Sequence, residues 1–221
     1  RLDRLSYAPL SPGGERAQGV LVVAVPARVR PLLESAEVEH RARNTLSLLR
    51  SIVARSAPLQ LGVEEFAMHL QGRIEALARI QLAGAVGGHR GIDLATLVAE
   101  ELQAASAHED EQVTVEGPPV SLGFRAAEKI GLAVHELATN ALKYGALADQ
   151  SGTVEVRWRI DAEHDPALVV EWSERGVAGP VMRMRDGFGA ELIERALPYE
   201  LSATTILSFE PGGVRCILRF P

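Results

Sequence analysis

The run His135-Glu136-Leu137-Ala138-Thr139-Asn140-Ala141-Leu142-Lys143-Tyr144 places a carboxylate, an amide, an ammonium and an aromatic ring at helical spacing. At about 100° per residue, Glu136, Asn140, Lys143 and Tyr144 fall within an arc of about 100°, while Ile130, Val134, Leu137 and Ala141 form a separate apolar stripe. The expectation is a helix that packs through one stripe and turns the other to a ligand. Asparagine is a poor interior helix residue because its amide competes for backbone hydrogen bonds, so Asn140 in mid-helix asks for a reason. The set suits a magnesium nucleotide. Asn140 can give its carbonyl oxygen to magnesium, Lys143 can meet phosphate, Tyr144 can cover the base, and Glu136 can orient a magnesium water or take a proton. For these four residues alone, a solvated polar face is the plain alternative.

Other residues extend this chemistry. Glu174 ends an alternating stretch just before Arg175-Gly176, where strand-end loops commonly hold binding residues, and its carboxylate can accept from an adenine amine. Gly187-Phe188-Gly189 leads into a helix, where the backbone of Gly187 and Gly189 can approach phosphate; a simple loop closing onto a helix is the alternative. Arg183 and Arg185, in the stretch between, receive no role. A phosphoryl acceptor is offered by His40, because an imidazole nitrogen is a nucleophile at neutral pH. Glu37, three residues before it, and Asn44, four after, share its helical face and could orient the ring or take its proton. His69 is the rival within the chain, without the flanking polar set. His89, His108 and His164 lie in polar stretches with no metal-ligand spacing.

Residues 4–10 and 18–25 read as two strands joined through Ser11-Pro12-Gly13-Gly14-Glu15-Arg16, and the apolar run Gly19 to Val25 is too short to cross a bilayer. A lone hairpin is marginal in water, so this one is expected to close a larger sheet that lies upstream. The opening at Arg1 without methionine fits that expectation. Helical spacing covers Leu32 to about Ala57, closed by Pro58, and again about Val63 to Leu82, before Gly84 and the Gly87-Gly88 pair. Two such helices make an antiparallel hairpin, which buries both apolar stripes if two copies form a four-helix bundle.

From Asp93 onward the pattern predicts an Asp-capped helix to about Ala107, a strand at Val113 to Glu116, and the polar-faced helix from about Phe124 to Tyr144. Alternating strands follow around Val154 to Ile160 and Leu168 to Trp172, then a helix from Gly187 to about Leu197. Two closing strands, near Thr204 to Phe209 and Val214 to Phe220, flank Pro211-Gly212-Gly213. Residues 93–221 thus read as an α+β layer pair. With 221 residues, 47% hydrophobic, 24% charged and a net charge of -6, the chain has material for one or two globular cores and no nucleic-acid footprint. Cys216, the single cysteine, sits in an apolar alternation and reads as a packed thiol in a reducing, cytoplasmic compartment, and no segment calls for a membrane or export.

Four motifs occur in order: Glu39-His40-Arg41-Ala42-Arg43-Asn44-Thr45-Leu46, then Gln71-Gly72-Arg73-Ile74-Glu75-Ala76-Leu77-Ala78-Arg79, then the Asn140 segment, then Trp172-Ser173-Glu174. In this combination the chain resembles HWE-type sensor histidine kinases, with His135, Trp172 and Glu174 matching the residues that name the family, over roughly 36–221. The hairpin strands resemble the last two strands of a PAS-type sensory domain.

The resemblance implies three parts: residues 1–30 as the tail of a sensory domain, 31–90 as a dimerisation and phosphoacceptor helical hairpin, and 91–221 as a Bergerat-type ATP-binding domain. It further implies that ATP with magnesium phosphorylates His40, that an aspartate of a response regulator then receives the group, and that the chain is a homodimer. Glu136 would polarise the attack, and the base stays open between Glu37, Glu136 and water. The family wording His-Arg-Val-Lys-Asn reads here with Ala42 and Arg43 as the middle pair, and the stretch from Glu174 to Gly187 is short for a lid. A kinase-like adaptor that binds nucleotide or a regulator without transfer, and a Bergerat-fold serine kinase, are the rival readings.

Overall fold

The computed structural model describes residues 2–9, 20–26, 43, 45–54, 62–87, 91–105, 112–148, 150–162, 167–177 and 187–221. His40, Glu37, Arg41, Asn44, Arg183 and Arg185 lie outside them. The chain divides into two compact units, Arg1–Ser51 and Ile52–Pro221. In the first, β1 (Leu2–Pro9) pairs antiparallel with β2 (Val20–Pro26), as the paired runs and the Pro/Gly turn signal predict. Residues 45–54 form α1, the described part of the helix expected from Leu32 to Ala57.

The second unit, which starts within α1, continues with α2 (Val63–Gly87), which runs past Gly84 and ends at the first glycine of the predicted Gly87-Gly88 stop. Gly84 is a contact point here and not a breaker: a Cβ placed on it would lie 2.6 Å from the Phe124 ring. Beyond α2, β3 (Ile92–Asp93) leads into α3 (Leu94–Ala104), capped as predicted by Asp93, whose Oδ1 accepts from Thr96 N at 2.9 Å. There follow β4 (Val113–Glu116), β5 (Ser121–Leu122), which pairs with β3, and α4 (Phe124–Tyr144). The last stretch holds β6 (Thr153–Asp161), β7 (Ala167–Arg175), α5 (Phe188–Glu191), a π turn (Leu192–Ala196), α6 (Leu197–Leu201), β8 (Thr204–Glu210) and β9 (Gly213–Phe220).

The main sheet is open, in the order β4-β6-β7-β9-β8, with β4 parallel to β6 and every other pair antiparallel. Its period-two alternation turns Val154, Val156 and Trp158 of β6, Val170 and Trp172 of β7, and Cys216, Leu218 and Phe220 of β9 inward, all buried. Val134 and Leu137 of α4 meet Val156, Val170, Trp172, Cys216 and Leu218 there, so the predicted apolar stripe of α4 is the one laid on the sheet. Burial pushes the Cys216 thiol up to about 12, and it behaves as the core residue its setting predicted. The helix after Gly187 continues past its predicted end at Leu197 to Leu201, widening into a π turn before Pro198. Pro198 has no N–H for the carbonyl of Glu194 and crowds it, and a π turn absorbs the misfit.

Candidate functional site

The helix α4 carries the predicted polar row, but residues 127–138 are buried on every side. The sheet covers one flank, and α2, running antiparallel to α4, covers the row that the sequence turns toward a ligand. Arg73 of α2 grips Glu136 with two bonds, Nε to Oε1 at 2.7 Å and Nη2 to Oε2 at 3.0 Å. Arg73 is 2% exposed and Glu136 7% exposed, so this is a dry, bidentate ion pair. The same guanidinium lies 4.2 Å over the centroid of the Phe188 ring, which ties α2 to the Gly187-Phe188-Gly189 turn.

One turn earlier on α2, His69 Nε2 lies 3.0 Å from Lys143 Nζ. Burial, then the charges of Lys143 and Arg73, hold the His69 pKa below its usual value, so the ring is neutral at pH 7 and Nε2 accepts from the ammonium. The 3.8 Å approach of Glu65 to the same nitrogen is therefore not an ion pair at that pH. Glu65 also receives the Tyr144 hydroxyl at 3.5 Å, while the Tyr144 ring is 66% exposed and open to stack on a base. Asn140 is half-buried on the same row. The structure thus brings Glu136, Asn140, Lys143 and Tyr144 together along α4, with α2 laid over the row, where the sequence predicted open space.

Glu174 is 5% exposed at the inner end of β7. Its Oε2 accepts from Ala146 N at 2.9 Å and its Oε1 from Trp172 Nε1 at 3.0 Å. Burial raises its pKa against those two hydrogen bonds. The carboxylate packs directly under Gly145, where a Cβ would overlap it, so glycine is required at that close approach. Trp172 and Glu174 therefore join the end of α4 to the sheet.

His135 turns away from the row. Its Nδ1 lies 3.1 Å from Oε2 of Glu101 on α3, and Arg79 of α2 holds the same carboxylate at 3.1 and 2.6 Å. Burial pushes Glu101 up, but the hydrogen bonds from His135 and Arg79 outweigh it and hold the carboxyl below its usual range. Periodicity and motif spacing assign no such role to Glu101, Arg73 or Arg79. Glu101 did leave a signal: it stands with Leu94, Leu97, Val98 and Leu102 on the buried stripe of α3, a core position that a charge occupies only when paired.

Among the described residues, no group of three or more His, Cys, Asp or Glu could hold a metal, and no helix is long and apolar enough to cross a membrane. Magnesium commonly arrives on phosphate and takes only one or two protein oxygens, a limited donor set that the Asn140 amide oxygen fits, while both oxygens of Glu136, one turn earlier on α4, are held by Arg73.

Residues 37–119 match the HWE histidine kinase family. Over 206 residues the chain is 32% identical to blue-light-activated histidine kinase 1 of Erythrobacter litoralis, covering 85% of this chain and 52% of that protein. It is 25% identical over 189 residues to a blue-light-activated histidine kinase of Brucella ovis, covering 85% of this chain and 39% of that one. The chain thus spans about half, or less, of the length of these relatives. The histidine kinase domain of the Erythrobacter litoralis EL346 blue-light activated histidine kinase superposes with a TM-score of 0.54 at 22% identity, covering 89% of this chain and 94% of that one, a likeness of fold. The ordered motifs, the matched segment and the shared fold agree, and what they establish is similarity to HWE histidine kinases, with the family match over residues 37–119.

Proposed function

We propose that this chain is the kinase core of a sensor histidine kinase, in which Mg-ATP at the α4 row phosphorylates His40 and an aspartate of a response regulator then takes the phosphoryl group. The observation that carries this reading is the gathering of Glu136, Asn140, Lys143 and Tyr144 on one helix, with the Phe188 turn and Glu174 at its margins. Lys143 and the turn amides of Gly187 and Gly189 would neutralise phosphate charge, Asn140 would ligate magnesium, Tyr144 would cover the base, and Glu174 would accept from its amine. Such transfer depends on in-line placement and charge neutralisation more than on covalent help. Glu136, Glu37 and water share the proposal for the base. Residues 1–30 would end a PAS-like input domain, 31–90 would dimerise and carry His40 with Arg41 and Asn44, and 91–221 would bind nucleotide in the cytoplasm.

The test is purified protein with labelled ATP and magnesium, beside His40→Gln and Asn140→Ala. The expected outcome is self-labelling that acid removes and that both variants lose at least about 100-fold. Acid-stable label that survives His40→Gln would indicate a serine kinase, and nucleotide binding with no label would indicate an adaptor.

A further inference from the structure

Consecutive residues of α2 and α4 face one another along one seam. Gly72 meets His135, and Arg73 meets Glu136. His69 meets Lys143, and Glu65 meets Tyr144. Glu65, His69 and Arg73 are spaced by four, so they form one ridge of α2, and that ridge holds three of the four residues assigned to the nucleotide. The partners match in kind: guanidinium on carboxylate, a neutral ring nitrogen on ammonium, and carboxylate on hydroxyl. A triphosphate with magnesium asks for the same ammonium, and the same carboxylate beside Asn140. The ridge and the ligand therefore compete for the same atoms.

The height of α2 over α4 has its own support. A Cβ on Gly72 would lie 3.1 Å from His135 Nε2, so the α2 backbone rests on the imidazole, and any larger side chain would lift it. His135 is fixed from its other side by Glu101, and Glu101 is fixed by Arg79, which returns to α2. The seat is a closed circuit of Gly72, His135, Glu101 and Arg79 through three helices.

Resting on the proposed nucleotide role of α4, we propose that the Glu65-His69-Arg73 ridge of α2 is a built-in competitor for Mg-ATP, and that His135 is a positioning residue which sets that ridge in register through Glu101 and Arg79. Nucleotide entry then requires α2 to leave Lys143 and Glu136, and anything that lifts α2 favours ATP.

Two measurements on the full chain test this, with the magnesium complex of a fluorescent ATP analogue as probe. In the unaltered protein, saturating probe should raise amide hydrogen exchange across residues 65–73 of α2. Gly72→Leu, which props the helices apart, should bind the probe about tenfold more tightly, while Gly72→Ala, which asks His135 to yield only slightly, should stay within about twofold. A role in simple stability would leave affinity unchanged or weaken it. If the unaltered protein binds probe while exchange in α2 stays flat, or if a folded Gly72→Leu binds no more tightly, the competitor is refuted and the kinase reading stands. If the unaltered protein binds no probe at millimolar concentration, both fall together.

Discussion

Glu101 sits where the apolar stripe of α3 would ordinarily carry a leucine, and it is fully buried between Arg79 and His135. A carboxylate there is tolerable only because each oxygen meets a charge-assisted donor, and removing it would leave a half-buried guanidinium and a buried imidazole without their partner. Glu101→Gln is therefore expected to destabilise the fold by about 3 kcal/mol at neutral pH, read from urea unfolding. The sign with pH follows from the lowered pKa. A group held below its usual value of 4.5 stabilises the fold fully above that value, and the contribution drains as pH falls through the folded-state value. The gap between parent and Glu101→Gln should accordingly shrink on acidification to about pH 3, and a gap that keeps its size would refute the charge pairing. Glu174 runs the other way. Burial raises it, so the fold is favoured while it is protonated and loses that advantage as pH rises through its folded value.

At the scale of elements, the α2–α4 seam decides how the polar row is presented, and it rests on close backbone approach. Gly84→Leu should open the seam near Phe124 and cost about 1–3 kcal/mol, seen as a lower melting temperature, because the aromatic ring would have to be displaced from a packed site. The strands were legible in the sequence, since alternation over β6, β7 and β9 leaves one register that buries Val156, Trp172 and Cys216 together. The Asp93 cap was equally legible, being a local hydrogen bond. Other features were not. Gly84 reads locally as part of a helix-ending glycine cluster, whereas its use is steric and belongs to a residue forty positions downstream. Helical periodicity places Glu136, Asn140, Lys143 and Tyr144 on one side of α4, but periodicity within one helix carries no information about what lies opposite. Arg73 and His69 pair with that row only through tertiary docking, so the row reads as open in the sequence.

For the molecule as a whole, the outer side of α2 leaves Met68 at 58%, Ile74 at 41% and Leu82 at 68% exposure. Under the proposed four-helix pairing of two copies these residues become buried, and light scattering should return the mass of a dimer. Ile74→Glu with Leu82→Glu should halve that mass while the sheet-rich circular dichroism persists; a parent that already runs as a monomer would overturn the pairing.

The order of the sheet carries one more implication. Since β4 and β6 are parallel neighbours, α4 is the strap that crosses from the end of one to the start of the other. A strap fastened at both ends to adjoining strands makes a poor lever. It stays where the sheet puts it, with Gly145 locked over Glu174 at its far fastening. Under the proposed nucleotide role, travel would accordingly fall to α2, with α4 as the fixed anvil beneath a moving arm.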